Sequence, residues 1–369
     1  MKVILANSER GMRGGEYQTC ALAAGLMEKD CRVTLISPPG AEIEDRVPAG
    51  VTLFHAGYEL IPLKTPLAVR KLVRDSMPDI IHAQSSRAHT HMRAAATISG
   101  AFPPLVISRR VAFGISGGIA GLWKYRRGVA RYIAVSDAAA SKLREGGVEE
   151  DRIEVVRSGV DTANLAAARP EPVLAQRLGI RDNNLVIGTM APFEKEKGYP
   201  TFLAVAERLS AEFPEARFIM LGTGSLEGCI RSYIGSSCLR GKASVVTDPV
   251  PVEKMLPLFD IFVLCSYREG LSTALVSAIA AGVPAVASDT GGIPEVLSGG
   301  AGILARPGNE NDFHSSVREL IENPRKREEL SMKGKHKAKE FDISETVERT
   351  YEIYRYLARE DERVDNDEY

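Results

Sequence analysis

The sequence predicts an α/β protein made of two doubly wound parallel-sheet domains, and three observations carry that expectation. The chain has 369 residues, which at roughly 150 residues per domain is about two domains. Short β-rich apolar runs alternate with longer helical stretches, the sequence form of βαβ units. The alternation breaks once, over residues 161–184, and then starts afresh. Composition agrees: 44% apolar and 26% charged residues exclude disordered, collagen-like and membrane-spanning classes.

In the first half the expected strands are Lys2–Ala6, Arg32–Ser37, Val51–Ala56, Asp79–Ala83, Leu105–Ser108, Tyr132–Val135 and Ile153–Val156. An amphipathic stretch such as Gln18–Lys29, with Leu22, Leu26 and Met27 at helical spacing, covers the sheet. Residues 161–184 hold Pro170, Pro172 and a polar end at Asp182, Asn183 and Asn184, which reads as a connection between domains. The second set of strands is Leu185–Met190, Arg217–Leu221, Ala243–Thr247, Ile261–Cys265, Ala285–Ser288 and Gly302–Leu304, with helices over Thr201–Leu209, Ser272–Ala281 and Asn311–Glu322. The tail Arg325–Arg359 is helical in pattern, with an apolar stripe of Tyr351, Tyr354 and Leu357. The last nine residues, DERVDNDEY, are acidic and poor in apolar side chains, so they are expected to fray.

Charge and cysteine usage narrow the function classes. Lys and Arg number 47 against 48 Asp and Glu, a net charge of -1, which excludes a broad electrostatic grip on nucleic acid and makes any anion site local. No apolar run approaches the ~20 residues of a bilayer span, and the start breaks into polar residues at Asn7. Five cysteines without a Cys-x-x-Cys pair predict free thiols, and a cytoplasmic address. His82, His89 and His91 make a poor metal set, because residues two apart on a helix diverge.

The residues able to carry chemistry stand after strands. The first turn, NSERGMRGGEYQT, places Gly11, Gly14 and Gly15 before a helix, a pattern equally suited to a tight turn and to a phosphate site. Lys197-Gly198 stands at a helix mouth near Pro200, where a lysine can neutralise a diphosphate or simply be solvated. In the segment Ser266–Val296, Glu269 can accept bonds from sugar hydroxyls, Ser272 or Thr273 caps a helix of small residues, and a second glycine turn follows at Gly291-Gly292. Two such turns side by side are hard to explain by packing alone.

The run Glu269–Glu295, together with Lys197-Gly198, Gly222-Thr-Gly224, Gly14-Gly15 and Ser158-Gly-Val-Asp161, resembles the retaining GT-B glycosyltransferases of group 1, or family GT4, over nearly the whole chain. The resemblance implies two Rossmann-like domains facing across a cleft. Residues 1–162 plus 344–369 would form the acceptor-side domain with a returning C-terminal helix, and 163–343 the donor-binding domain. It makes Lys197 a phosphate ligand, Glu269 a contact to the transferred sugar, and Gly270, Leu271, Ser272 and Thr273 a source of amides for the diphosphate. Gly14 and Gly15 would approach the donor from the other domain, and Val250 would frame the nucleobase within Asp248–Val252. The co-substrate would be a UDP-, GDP- or ADP-sugar, with no other cofactor and no metal; no Asp-x-Asp dyad lies between strands. The acceptor would be a glycan or lipid-linked hydroxyl in cell-surface polysaccharide or lipopolysaccharide assembly.

Three departures from that pattern stand out. Ser277 occupies the place of the family's second glutamate, and one hydroxyl cannot make the paired bonds of a carboxylate. Pro192 stands where an arginine usually precedes the Lys-Gly pair, and Ser108-Arg109-Arg110 replaces a histidine found in many relatives. Arg109 and Arg110 can offset donor charge or bind an anionic acceptor, and neither suits a base near neutral pH. His82, at a strand end, fits either acceptor binding or a satisfied buried role; with Glu269 and Arg109 it completes the candidate catalytic set. Between Arg109 and Arg131, Trp123 with Lys124, Arg126 and Arg127 suits a solvated basic loop or a peripheral membrane contact, and Arg110 could join them at an acceptor. Besides the transferase reading, the residues leave open a sugar-nucleotide epimerase and a silent nucleotide-sugar-binding scaffold.

Overall fold

The structure is a computed structural model that describes residues 1–58, 64–99, 101–114, 124–125 and 128–367. The chain divides into two compact units, Met1–Gly159 with Ile343–Tyr369, and Val160–Asp342. Both are parallel sheets wrapped by helices, the doubly wound architecture the alternation predicts.

The first unit holds β1 (Lys2–Ala6), β2 (Arg32–Ser37), β3 (Thr52–His55), β4 (Ile80–Ala83), β5 (Leu105–Arg109), β6 (Arg131–Ala134) and β7 (Ile153–Val155). Its order is β3-β2-β1-β4-β5-β6-β7. β4 is buried along its whole length, which is why the central strands read as unbroken apolar runs. Val3, Leu5, Leu22, Leu26, Val33 and Leu35 form a core that is closed by Val347, Tyr354 and Leu357 of the last helix.

The second unit holds β8 (Leu185–Met190), β9 (Ala216–Leu221), β10 (Ala243–Val246), β11 (Ile261–Leu264), β12 (Ala285–Ser288) and β13 (Ile303–Ala305), in the order β10-β9-β8-β11-β12-β13. Phe193, Phe202, Phe218, Val263, Phe313 and Leu320 belong to its core.

Helix boundaries depart from the periodicity where polar caps set them. The first helix begins at Gly14, four residues before its amphipathic pattern, because Glu16 accepts the Arg13 amide at 3.1 Å. The connection 161–184 is not featureless: Thr162–Ala167 is a helix capped by Asp161, and Pro172–Arg177 is a second with proline in its first turn. The charged tail is two helices, Pro324–Ala338 and Ile343–Asp367. They part at Asp342, whose carboxylate accepts bonds from the Thr162 amide and hydroxyl, while the Val160 amide donates to the Phe341 carbonyl at 2.9 Å. The final helix runs to Asp367. Among the described residues no helix is long and apolar enough to cross a membrane.

Candidate active site

In the second unit the strand order reverses between β8 and β11, so the loops after these strands diverge and leave a crevice at their carboxyl ends. Lys197 follows β8 and Glu269 follows β11. The Lys197 ammonium donates to Glu269 Oε1 at 2.7 Å, and the Ser266 hydroxyl donates to the same oxygen at 2.8 Å. The two charged side chains are 16% and 10% exposed, so the pair is held in a fixed place, unlike a solvated surface pair.

The backbone around them is equally constrained. The Tyr267 amide donates to the Glu196 carbonyl at 2.7 Å, and Thr290 Oγ1 donates to the Tyr267 carbonyl at 3.2 Å. Gly198 has φ 66°, and a Cβ there would lie 2.0 Å from the Cys265 carbonyl oxygen. Gly291 has φ 55°, and its Cβ would meet the Glu269 carbonyl oxygen at 1.9 Å. Both positions admit only glycine, so the loops after β8, β11 and β12 are stacked directly on one another.

Ser272 precedes the helix Thr273–Ala280 with φ 77°, a left-handed conformation that is costly for a residue with a side chain. Its hydroxyl accepts the Leu275 amide at 3.3 Å, and the Thr273 and Ala274 amides have no acceptor among the described residues. A lysine and two open helix amides therefore gather beside one carboxylate, an arrangement suited to an oxyanion and a polyhydroxyl group together. Gly270 and Leu271 lie in the same turn. Ser277 is buried one turn along the helix, and Val250 lies in the loop after β10, where Arg177 meets Asp248 at 3.7 Å; Lys254, in the short helix that follows, meets Glu171 at 3.3 Å.

The first unit gathers the other candidates at its own reversal, between β1 and β4. His82 is fully buried; its Nδ1 is hydrogen bonded to the Tyr354 hydroxyl and its Nε2 to the Ser108 hydroxyl at 2.8 Å. Burial, aided by Arg110, pushes its pKa down to about 3, so it is neutral. A ring with both nitrogens used is a positioning group, and the expectation that it meets acceptor hydroxyls gives way to the buried alternative. Arg109 likewise turns inward, donating to the Tyr125 hydroxyl at 2.9 Å and to the Phe113 carbonyl. It holds the loop after β5 and is not open to a substrate. Arg110 does stay beside the glycine turn: a Cβ on Gly15 would sit 3.6 Å from its Cδ, and its guanidinium donates to Gln84 Oε1.

The basic segment is only partly in view. Trp123, Arg126 and Arg127 lie outside the described residues. Lys124 donates to the Ser86 carbonyl at 2.8 Å, so its ammonium is engaged with the protein, while burial and the Arg109 charge push its pKa down to about 8. Among the described residues no three His, Cys, Asp or Glu gather as a metal set.

Several contributors were not expected from sequence. Ser266, Tyr267 and Thr290 fix the Glu269 turn, yet single polar residues after strands carry no periodic or motif signal. Arg177 reaches the loop after β10, and Glu171 the short helix Val252–Met255 that follows it, from the stretch that reads as a plain connection. Gln84 gains meaning only through Arg110, 26 residues away.

Comparison with known proteins settles the family. Residues 171–337 match the model for glycosyl transferases group 1, and residues 12–164 match the model for glycosyltransferase family 4. The chain belongs to the group 1 glycosyltransferases. This group 1 chain is 29% identical over 231 residues to alpha-maltose-1-phosphate synthase of Mycolicibacterium smegmatis, covering 57% of the chain and 58% of the relative. It is 26% identical over 224 residues to the putative glycosyltransferase EpsD of Bacillus subtilis, covering 58% and 57%. The chain thus spans a little under three-fifths of the length of these curated relatives. Its fold matches the crystal structure of Anabaena HepE, in complex with UDP and glucose, with a TM-score of 0.81 at 20% identity over 96% of this chain and 99% of that one.

Proposed function

We propose that the chain transfers a sugar from a nucleoside-diphosphate sugar to a hydroxyl acceptor with retention of anomeric configuration. The second unit takes the donor and the first the acceptor. The observation that carries the proposal is the Lys197–Glu269 pair at the β8/β11 reversal, beside the open amides of Thr273 and Ala274. HepE, solved with UDP and glucose, supports the donor class.

The chemistry follows from those groups. The bond from the sugar's anomeric carbon to the diphosphate oxygen breaks, and Lys197 with the helix amides stabilises the charge that collects on the leaving diphosphate. The acceptor oxygen bonds to the same face of that carbon, and its proton passes to a leaving phosphate oxygen. Glu269 orients the sugar by accepting from its hydroxyls, with Ser266 and Lys197 fixing the carboxylate. In this reading Lys197 and the amides do the work that a divalent cation does in other transferases. The acceptor is a glycan or lipid-linked hydroxyl of cell-surface polysaccharide or lipopolysaccharide assembly.

A thermal-shift panel with UDP, GDP, ADP, CMP and NAD in EDTA tests the reading. One nucleoside diphosphate is expected to stabilise the wild type, by about 2.7 kcal/mol at a hundredfold excess over Kd, and to have no effect on Lys197→Ala. No shift with any of them would overturn the donor site. Ser277, in place of a ribose-binding carboxylate, favours one second reading, a silent sugar-nucleotide binder; nucleotide binding with neither donor hydrolysis nor transfer would bring it forward.

A further inference from the structure

The helix Lys64–Ser76 of the first unit turns outward a charged face that lacks counter-charges. Its inner face, Thr65, Pro66, Val69 and Val73, is buried. Lys64, Leu67, Lys71 and Arg74 are all exposed, at the i, i+3, i+7, i+10 spacing of one outer stripe, with exposed Arg70 beside them. Arg74 meets Asp75 at 3.2 Å, whereas Lys64, Arg70 and Lys71 make no ion pair or side-chain hydrogen bond among the described residues. Cations on other helices of this chain do pair: Lys142 with Glu145, Arg231 with Glu227, Arg318 with Glu322 and Lys333 with Glu329. The difference is written in the sequence. From Arg46 to Ser136 the only acidic residues are Glu59, Asp75 and Asp79, against thirteen lysines and arginines, so a chain that is neutral as a whole carries a local field of one sign.

Large apolar side chains stand among these cations. Leu67 is 51% exposed, and Met77, just past the end of the helix, is 70% exposed. Met77 also holds φ 46°, a left-handed conformation that glycine or asparagine usually fills after a helix. Among the described residues only Asp30, Met77 and Ser272 do this without being glycine. A short polar side chain makes the conformation tolerable at Asp30, and Ser272 lies in the candidate active site; Met77 has neither reason. A face meant only for solvent gains nothing from an exposed leucine and methionine, and a dissolved polyanion would use the cations alone. A face that lies in the headgroup layer of a bilayer uses both, since apolar tips enter the acyl boundary while long basic stems reach the phosphates.

We propose that this face docks the first unit on an anionic lipid bilayer, with Lys64, Arg70, Lys71 and Arg74 at the lipid phosphates and Leu67 and Met77 in the acyl boundary. The docking surface stands without the transferase reading above. Joined to that reading, it favours a lipid-linked acceptor over a free glycan.

The test is flotation of the full chain with vesicles of phosphatidylcholine alone and of phosphatidylcholine mixed with phosphatidylglycerol. The proteins are the wild type, the double variant Arg70→Glu with Lys71→Glu, and the double variant Leu67→Ser with Met77→Ser. Every substituted side chain is exposed, so all three proteins fold, and thermal unfolding checks this. The wild type is expected to float with the anionic vesicles and not with phosphatidylcholine alone. Charge reversal is expected to lower the partition coefficient at least about tenfold, and the serine pair to lower it severalfold. No flotation of the wild type with anionic vesicles overturns the proposal, and so does flotation that charge reversal leaves unchanged. Flotation that the serine pair leaves unchanged overturns it as well, and competition by soluble polyphosphate in that case would give the cations to a dissolved polyanion. Flotation needs no nucleotide, so its failure is read separately from a failure of the donor panel.

Discussion

Single residues in this chain have environments that make their behaviour calculable. His82 and His89 are both buried and held neutral, His82 beside Arg110 and Tyr354, His89 beside Lys124 and Arg93. Each takes up a proton near pH 6.5 when unfolded but not when folded, so both contribute stability above that pH and lose it as pH falls. Urea unfolding should show stability declining as pH falls from 6.5 to 5, with His82 alone approaching about 1.4 kcal/mol per pH unit and His89 acting in the same direction, and His82→Gln should remove its part of the slope. An unchanged slope in the variant would show that His82 is not neutral in the fold. At Gly291 the argument is steric. Gly291→Ala meets both a positive φ and the Glu269 carbonyl, and is expected to cost more than about 1 kcal/mol in urea unfolding and to weaken nucleotide binding as well. Lys197, Glu269 and the glycine turns could be picked from the sequence because each stands just after a strand. The inward turn of Arg109 and the burial of His82 could not, because their partners, Tyr125 and Tyr354, are brought near only by the fold.

Among the elements, the helix Thr273–Ala280 is the one whose start is under strain. Ser272 caps it and also bears the left-handed backbone, so the two effects can be separated by substitution. Ser272→Gly keeps most of the capping preference and relieves the conformation, whereas Ser272→Ala loses the cap and keeps the strain. Thermal unfolding should rank Gly above Ser above Ala, with Ala about 1 kcal/mol below the wild type. If Ala matched the wild type, the hydroxyl would not be capping. The strands were legible almost residue by residue, since burial on both faces writes itself into the sequence as apolar runs. Helix starts were less so. Gly14 and Thr162 begin helices through side-chain caps on Arg13 and Asp161, signals of one or two polar residues that periodicity does not register.

For the whole molecule, the decisive fact is that one compact unit is made from both ends of the chain. The helix Ile343–Asp367 supplies Val347, Tyr354 and Leu357 to the first core, each worth about 1.5–3 kcal/mol of apolar burial, and the hydroxyl that satisfies buried His82. A chain ended after Asp342 should therefore lose the unfolding transition of the first unit while keeping that of the second, together with Lys197-dependent nucleotide binding. Calorimetry of the shortened chain would show it, and two intact transitions would mean that the helix is dispensable. The sequence stripe of Tyr351, Tyr354 and Leu357 announced a buried face here; the sharp break at Asp342 was hidden, because it is made by Thr162 and Val160, 180 residues or so earlier in the chain.

That break also sets the order in which the protein can assemble as it leaves the ribosome. Domains ordinarily mature in the sequence in which they are made, at about 5–20 residues per second. Here the segment beginning at Val160 and ending at Asp342 has both of its ends tied together by Val160, Thr162, Phe341 and Asp342, and it is complete before the helix that the earlier segment needs has been synthesised. The half made first must wait, with the groove meant for Val347, Tyr354 and Leu357 uncovered, while the half made second closes. Nascent chains are thus most exposed to aggregation and to chaperone capture through the sheet made first, until the helix beginning at Ile343 has been added.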